Sequence, residues 1–473
     1  MANAPHSDLA FLDLAEVADK LRRRDLSSLE LTQALYERIA ALEPRLKSYV
    51  RLMQESALAE ARAADEAFAR GEQRSLLQGV PVAVKDLYDT AGVVTAGGMG
   101  ALADRVPQAD CTAVARLRQA GAVILGKLTT TEGAMSQHHR TIPTPVNPWS
   151  REVSLWSGAS SSGSGVATAA GLCFASLGSD TGGSIRFPAL CNGIAGIKPT
   201  WGRASRHGVL PLSQSLDHVG PLSRTALASA AMLQAIAGPD PDDSTALRAP
   251  VPDYLSEMKQ GLGGLRLGYD PAHCGEGVEP EVQRCVEAAV AQLRDAGAEV
   301  REISLPDANA AVSGWMEICT AECALAHEKI YDRHADDYGS ILAFMIETGR
   351  AFTARDYARA HLARLDLAGA MAAVFEEVDL VIGPLMAGPV PAASEVDALE
   401  PSLEAIRAFL AFSGPAPLCG TPALQLPAGF DSRGAPLGFQ LTAGHLQESA
   451  LFRAGQTWQE ITDWHKERPP LAV

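Results

Sequence analysis

Gly79-Val80-Pro81-Val82-Ala83-Val84-Lys85-Asp86 is the stretch at which the chain changes texture. Residues 80–84 form a short apolar run rich in valine, the pattern of a strand buried on both faces. Upstream, residues 8–70 read as helical. Ser27-Ser28-Leu29-Glu30 has the form of a capping box, and Leu29, Leu31, Leu35 and Ile39 then recur near helical spacing. The Ala-rich residues 56–70 continue that pattern and Gly71 ends it. Downstream, residues 112–120 read as a helix broken by Gly121, residues 122–125 as a strand, residues 163–171 as a helix and residues 173–177 as a strand. Alternating helix and strand patterns predict an α/β layered fold.

The 473 residues hold 40 Lys and Arg against 56 Asp and Glu, a formal net charge of −16. A chain that acidic repels phosphate backbones, and no basic run offers an anionic membrane an anchor, so neither nucleic acid nor membrane is an expected partner. Hydrophobic residues make up 47%, enough for a substantial core. No stretch approaches the roughly 18 uninterrupted apolar residues of a membrane span. The first residues lack the apolar core of a secretory leader. The eight cysteines are scattered without a close CxxC pair, which suits a reducing cytoplasm, and a cytoplasmic protein is expected. Cys319 and Cys323 stand four apart on an expected helix, but a metal would need further ligands at ordered spacing, and none is evident.

Between about 150 and 222 the chain is crowded with Gly and Ser. A flexible linker would have that composition, but apolar runs such as Gly196-Ile197-Lys198-Pro199 interrupt it, which predicts a cluster of functional loops instead. In Ser157-Gly158-Ala159-Ser160-Ser161-Ser162-Gly163-Ser164-Gly165 small residues precede a helical segment, as a close backbone approach to a ligand requires. No strand-GxxxxGK[ST]-helix pattern accompanies it, so nucleotide binding is not expected. In Gly178-Ser179-Asp180-Thr181-Gly182-Gly183-Ser184-Ile185-Arg186 two adjacent glycines permit a tight turn whose N–H groups point one way, the requirement of an oxyanion hole. Taken alone, Ser184 would read as a helix cap. A lysine closing a buried strand, Lys85, is unusual because an unpaired buried charge is costly. Burial lowers its pKa, and a neutral amine can act as a general base. Taken alone, it would read as a strand-end lysine reaching solvent.

Together these segments resemble the amidase signature family. Lys85 and Ser160 are 75 residues apart and Ser160 and Ser184 are 24 apart, separations typical of that family's Ser–Ser–Lys triad. Gly126-Lys127-Leu128-Thr129, Gly196-Ile197-Lys198-Pro199-Thr200-Trp201-Gly202-Arg203, Ser215-Leu216-Asp217-His218-Val219-Gly220-Pro221, Gly420-Thr421-Pro422-Ala423 and Leu437-Gly438-Phe439-Gln440 resemble further family segments. The resemblance spans roughly residues 25–460 and is weakest over 240–375. It implies a single large α/β domain whose central twisted mixed β-sheet is flanked by helices. Residues 1–70 would be a helical segment packed on the core, residues 71–473 the catalytic domain, and residues 240–375 a variable helical region near the active site. It implies that Ser184 is the nucleophile, Ser160 a bridging residue with a cis peptide bond, and Lys85 the base. The oxyanion hole would come from Thr181, Gly182, Gly183 and Ser184, with Asp180 and Arg186 as electrostatic support. It implies no cofactor and no metal. Two departures bear on substrate preference: Gly158-Ala159-Ser160-Ser161-Ser162-Gly163 stands where the family reads GGSSGG, and Thr130 stands where it has Asn.

The expected reaction is hydrolysis of a carbon–nitrogen acyl bond in a carboxamide, an aryl amide or a carbamate, through an acyl-enzyme, with esterase side activity. Candidate walls of the substrate pocket are residues 131–138, with Ala134, Met135 and Ser136 foremost, and the helical region 312–345 with Trp315, Met316, Leu342, Phe344 and Met345, residues that an ordinary core would equally explain. Partners would be a small-molecule amide or carbamate and water, and a homodimer stays open. Three other readings compete, one of them a non-catalytic binding protein that keeps the three triad positions by chance. A Ser-His-Asp hydrolase could draw on His138, His139, His207 or His218, although no GxSxG elbow is present. The catalytic A-type subunit of a glutamine-dependent tRNA amidotransferase shares the signature and a similar length.

Overall fold

The structure, a computed structural model, describes residues 6–398 and 403–471. Its centre is one mixed sheet of eleven strands: β1 Tyr49–Leu52, β2 Pro81–Lys85, β3 Val123–Leu128, β4 Ala175–Asp180, β5 Ala195–Lys198, β6 His218–Ser223, β7 Arg266–Tyr269, β8 Glu299–Glu302, β9 Leu380–Gly383, β10 Ala423–Phe430 and β11 Pro436–Ala443. Their order across the sheet is β1-β3-β2-β4-β6-β5-β10-β11-β9-β7-β8. β2 runs parallel to both β3 and β4, and β7 parallel to both β8 and β9; the remaining pairs are antiparallel. The expected fold class, an α/β fold with helices flanking a mixed sheet, is the one observed.

The capping box also stands as read. The Ser27 hydroxyl accepts from the Glu30 N–H at 3.1 Å and the Glu30 carboxylate accepts from the Ser27 N–H at 2.9 Å, opening the helix Ser28–Leu46. Leu31, Leu35, Ile39, Leu42 and Leu46 form its buried stripe. They belong to a continuous core that runs from Ala10 to Leu471. Truncating one of these leucines to alanine costs about 2–5 kcal/mol.

Two helical readings need correction. Residues 8–70 are interrupted by β1, an edge strand antiparallel to β3. Its pattern is only four residues long, so flanking helical periodicity masks it. Region 240–375 contains β7 and β8, which complete one edge of the sheet; β8, Glu-Val-Arg-Glu, lies at that edge with no fully buried residue and carries no apolar signal. Much of the rest of that region is helical: Asn309–His334 packs against both Ser340–Ala351 and Ala354–Glu377.

The Gly/Ser-rich stretch is no linker. The helix Ser162–Ala169 is buried on every residue. A Cβ on Gly163 would lie 2.4 Å from the Ser48 carbonyl oxygen and 2.6 Å from the Thr129 backbone, so small side chains are what lets this helix enter the core. Because β2 and β4 are parallel neighbours, with Ala83 opposite Ser176 and Val84 opposite Leu177, their carboxyl ends emerge side by side. No helix among the described residues is long and apolar enough to cross a membrane. Among the described residues no group of three or more His, Cys, Asp or Glu could hold a metal ion.

Candidate active site

β2 delivers Lys85 to that paired edge, fully buried, and three hydroxyls surround its amine. Nζ lies 2.7 Å from Ser160 Oγ, 3.0 Å from Ser161 Oγ and 2.9 Å from Ser179 Oγ. Burial pulls the lysine down to about 7, although the charges of Asp217 and Asp180 favour the ammonium. The cage suits both protonation states. An ammonium donates to all three oxygens, whereas a neutral amine donates two protons and accepts a third through its lone pair. Ser161 donates its own proton to the Ser179 carbonyl at 3.3 Å, which leaves Ser160 or Ser179 to donate to the amine.

The loop carrying Ser160 is fastened at both ends. The Ala159–Ser160 peptide bond is cis. The Ser160 carbonyl accepts from the Thr131 N–H at 3.2 Å and from the Thr130 hydroxyl at 3.1 Å. Thr130, the departure from the usual Asn, thus holds the loop that bears Ser160. The Ser161 N–H donates to the Ser184 carbonyl at 3.2 Å, tying this loop to the next. Ser162 bonds neither Lys85 nor Ser184: its hydroxyl lies 2.9 Å from His138 Nε2.

The second loop, residues 181–185, is organised by Asp180. Its carboxylate accepts from the Gly183 N–H at 2.8 Å, the Ile185 N–H at 3.3 Å, and Arg186 Nε and Nη2 at 3.0 and 3.1 Å. Burial works to raise the Asp180 pKa, but the Arg186 guanidinium outweighs it and the carboxyl stays below its usual range. Arg186 also donates to Gln440 Oε1 and to the Ser413 carbonyl, both at 2.9 Å, so the buried ion pair is hydrogen-bonded on both partners. Ser413 Oγ donates to the Gly182 carbonyl at 2.5 Å and Trp315 Nε1 to the Thr181 carbonyl at 2.9 Å. With both carbonyls turned to those partners, the N–H groups of Thr181, Gly182 and Ser184 donate to no acceptor among the described residues. Gly183 departs from the expected set of four, because its N–H is taken by Asp180.

Ser184, Thr181 and Gly182 open onto a cavity of about 160 Å³. Ala134, Met135, Ser136 and Trp315 line it, together with Phe344 and Met345. Of the other expected walls, residues 131–133 and 138, Met316 and Leu342 are absent from the lining. Thr131 and Glu132 are buried, Met316 belongs to the core cluster, and Leu342 packs over Gly133. Three aromatic rings that the sequence reading missed complete the wall. Trp156, Phe187 and Phe409 meet pairwise at centroid distances of 5.9, 5.3 and 5.0 Å. Phe187 sits three residues after Ser184 on the helix Arg186–Cys191, a signal available in the sequence; Phe409 comes from a distant segment with none. Ser161 and Ser179, which complete the lysine cage, were likewise missed, although one follows Ser160 directly and the other nearly closes β4.

Among the described residues no histidine takes up a Ser-His-Asp arrangement at Ser184. His218 is buried with Nδ1 against the carbonyls of Leu216 and Asp180 at 2.6 and 3.1 Å. His138 faces Ser162, His139 faces Thr141 at 2.7 Å, and His207 is exposed.

Comparison with known proteins agrees with this geometry. The sequence profile of the family named Amidase matches residues 30–452. The chain is 43% identical over 461 residues to a Mycobacterium tuberculosis (strain ATCC 25618 / H37Rv) protein named "Putative amidase AmiD", covering 97% of this chain and 96% of that one. It is 37% identical over 487 residues to the A-type subunit of glutamyl-tRNA(Gln) amidotransferase from Geobacter sp. (strain M21), covering 97% and 99%. Among solved structures, the native peptide amidase from Stenotrophomonas maltophilia superposes with a TM-score of 0.82 at 29% identity, covering 99% of each chain. A match to the family across most of the chain, with relatives similar over nearly their whole length, places this protein in the amidase signature family, as an amidase acting on amide C–N bonds.

Proposed function

We propose that the protein hydrolyses uncharged amides bearing an aromatic or other apolar group, with Ser184 as nucleophile, Ser160 as proton relay and Lys85 as base. The observation that carries this reading is the Lys85 amine, buried and bonded, among the described residues, to hydroxyls alone. As a neutral amine it accepts the Ser160 proton while Ser160 accepts that of Ser184, and Ser184 Oγ attacks the carbonyl carbon. The N–H groups of Thr181, Gly182 and Ser184 meet the oxyanion that forms. Donors of this kind are worth about 10²–10³ in rate each. The relay then runs backward: the lysine ammonium returns its proton through Ser160 to the leaving nitrogen, the C–N bond breaks, and the amine departs. Water attacks the acyl-enzyme by the same route. Asp180 and Arg186 act by fixing the loop rather than by touching substrate.

The substrate class follows from the cavity wall, which carries no ionisable side chain among the described residues. An aryl amide, anilide or aryl carbamate gains from burial there, whereas an amino-acid amide would leave its charge unpaired. Esters fit the same acyl-transfer geometry as a side activity. The competing reading, a glutamine-dependent tRNA amidotransferase, requires a site for free glutamine, and that zwitterion is poorly matched to such a wall. A panel of anilides, aliphatic amides, small anionic amides, aryl carbamates and glutamine, with Ser184→Ala as control, tests the reading. Higher kcat/KM for aryl amides or carbamates supports it, and preference for glutamine or the small anionic amides overturns it.

A further inference from the structure

A second cavity of about 280 Å³ adjoins the first. The two share Met135, Gln137 and Ile341, so a molecule lying across these residues touches both. Their chemistry differs. The first is walled by aromatic rings; the second by Glu132, His138, Arg140, Tyr338 and Ser340 beside the shared residues. Most of the charged or strongly polar groups there are already engaged. The Glu132 carboxylate accepts from the Gly339 N–H at 3.0 and 2.9 Å, Arg140 Nη2 donates to the Asp336 carbonyl at 3.0 Å, and the Tyr338 hydroxyl meets His327 Nδ1 at 3.0 Å. The Gln137 amide and the Ser340 hydroxyl have no partner among the described residues. His138 is fixed through Nε2 by Ser162, the hydroxyl standing where the family has glycine, and burial pulls the imidazole down to about 4, so it is neutral near pH 7. A charged ligand group of either sign would meet a like charge beside its counter-charge, since Glu132 and Arg140 are both present and both already engaged, and burial pushes the Glu132 carboxyl up to about 7 so that its own charge is partial near neutrality. An uncharged donor or acceptor would meet the three neutral groups instead.

Resting on the reading of Ser184 as nucleophile, we propose that this polar chamber is a second substrate subsite, which takes an uncharged hydrogen-bonding group placed across the scissile amide from the apolar group. Ser162 and His138 then act in specificity, with Ser162 as the positioning residue. The preferred substrate is an amide with two unlike ends.

The test compares N-propylbenzamide with benzamides whose propyl arm ends in a hydroxyl, a carboxylate or an ammonium, and repeats the comparison with butyranilides carrying the same groups on the acyl arm. Hydrolysis of N-propylbenzamide or plain butyranilide by the native protein and not by Ser184→Ala establishes the underlying reading independently. The expected result is that, in one of the two orientations, the hydroxyl arm raises kcat/KM about tenfold over the plain arm and both charged arms fall below the hydroxyl arm. That ratio should drop toward one in His138→Ala, in Ser162→Gly and in the exposed-site variant Gln137→Ala, which tests the subsite should the buried changes disturb folding. A ratio near one in both orientations, a preference for either charge, or a ratio unmoved by all three variants overturns the subsite while leaving the amidase reading intact. Failure to hydrolyse any member overturns both.

Discussion

Two strands of the sheet end on a buried lysine, and the two lysines have different partners. β2 ends on Lys85 and β5 on Lys198; both are fully buried, and burial draws both to about 7. Lys85 is held by three hydroxyls. Lys198 donates to the carbonyls of Pro199 at 3.0 Å and Thr421 at 2.5 Å, stapling β5 to the segment that leads into β10. A carbonyl only accepts, so it has no proton to pass to the amine. A hydroxyl both accepts and donates, so it can relay a proton. Burial makes a lysine ammonium a stronger acid, so that the amine is more often uncharged; its neighbours decide whether that amine can serve as a base.

The comparison is most directly broken by exchanging the two lysines' fates. Lys85→Met and Ser184→Ala are each expected to lower kcat/KM on an aryl amide by about 10⁴-fold or more, since residues that act as a unit fail together. Activity surviving in Lys85→Met would end the distinction. Next in size is Asp180→Asn, which leaves the buried Arg186 without its counter-charge. Its expected cost is roughly 3–5 kcal/mol of stability, read as a lower denaturant midpoint. Because Asp180 attracts both lysines, the same change should move the acid limb of the pH–rate profile to lower pH.

Lys198→Met is expected to leave kcat within a few-fold while removing about 1–3 kcal/mol of stability, because two buried carbonyls lose their donor. Thermal unfolding and kcat on the same preparation check both halves. The pH profile sharpens the contrast further. With the uncharged Lys85 amine as the proposed base, kcat/KM should rise with pH through about 7, and this limb should persist in Lys198→Met. Stability should also rise with pH between about 7 and the ordinary lysine value near 10.5, since both lysines bind fewer protons folded than unfolded there. Lys198→Met should flatten that rise. The smallest expected effect is at the wall: Phe409→Ala should raise KM for aryl substrates about tenfold, the size of losing one well-packed aromatic contact, with little change for short aliphatic amides.

Local patterns were legible where one segment carries the whole signal. The capping box at Ser27 and Glu30, the strand ending at Lys85 and the helix after Ser161 each announce themselves within a few residues. β1 and β8 did not, because a short edge strand buries little and so needs no apolar run. The motif positions around Lys85, Ser160 and Ser184 stood out through spacing, yet the spacing says nothing of Ser179 completing the cage.

What the sequence determined by itself is the inventory and its order: an α/β chain of net charge −16, a lysine at a strand end, and small-residue loops able to pack where side chains with a Cβ cannot. What only tertiary structure decided is which groups meet. Parallel pairing of β2 with β4 sets Ser179 beside Lys85, Asp180 engages the Gly183 N–H, and Phe409 crosses from the far end of the chain to face Phe187. Hydrogen-bond partners and cavity walls come from segments hundreds of residues apart, and no local pattern encodes a contact whose other half lies on a different strand.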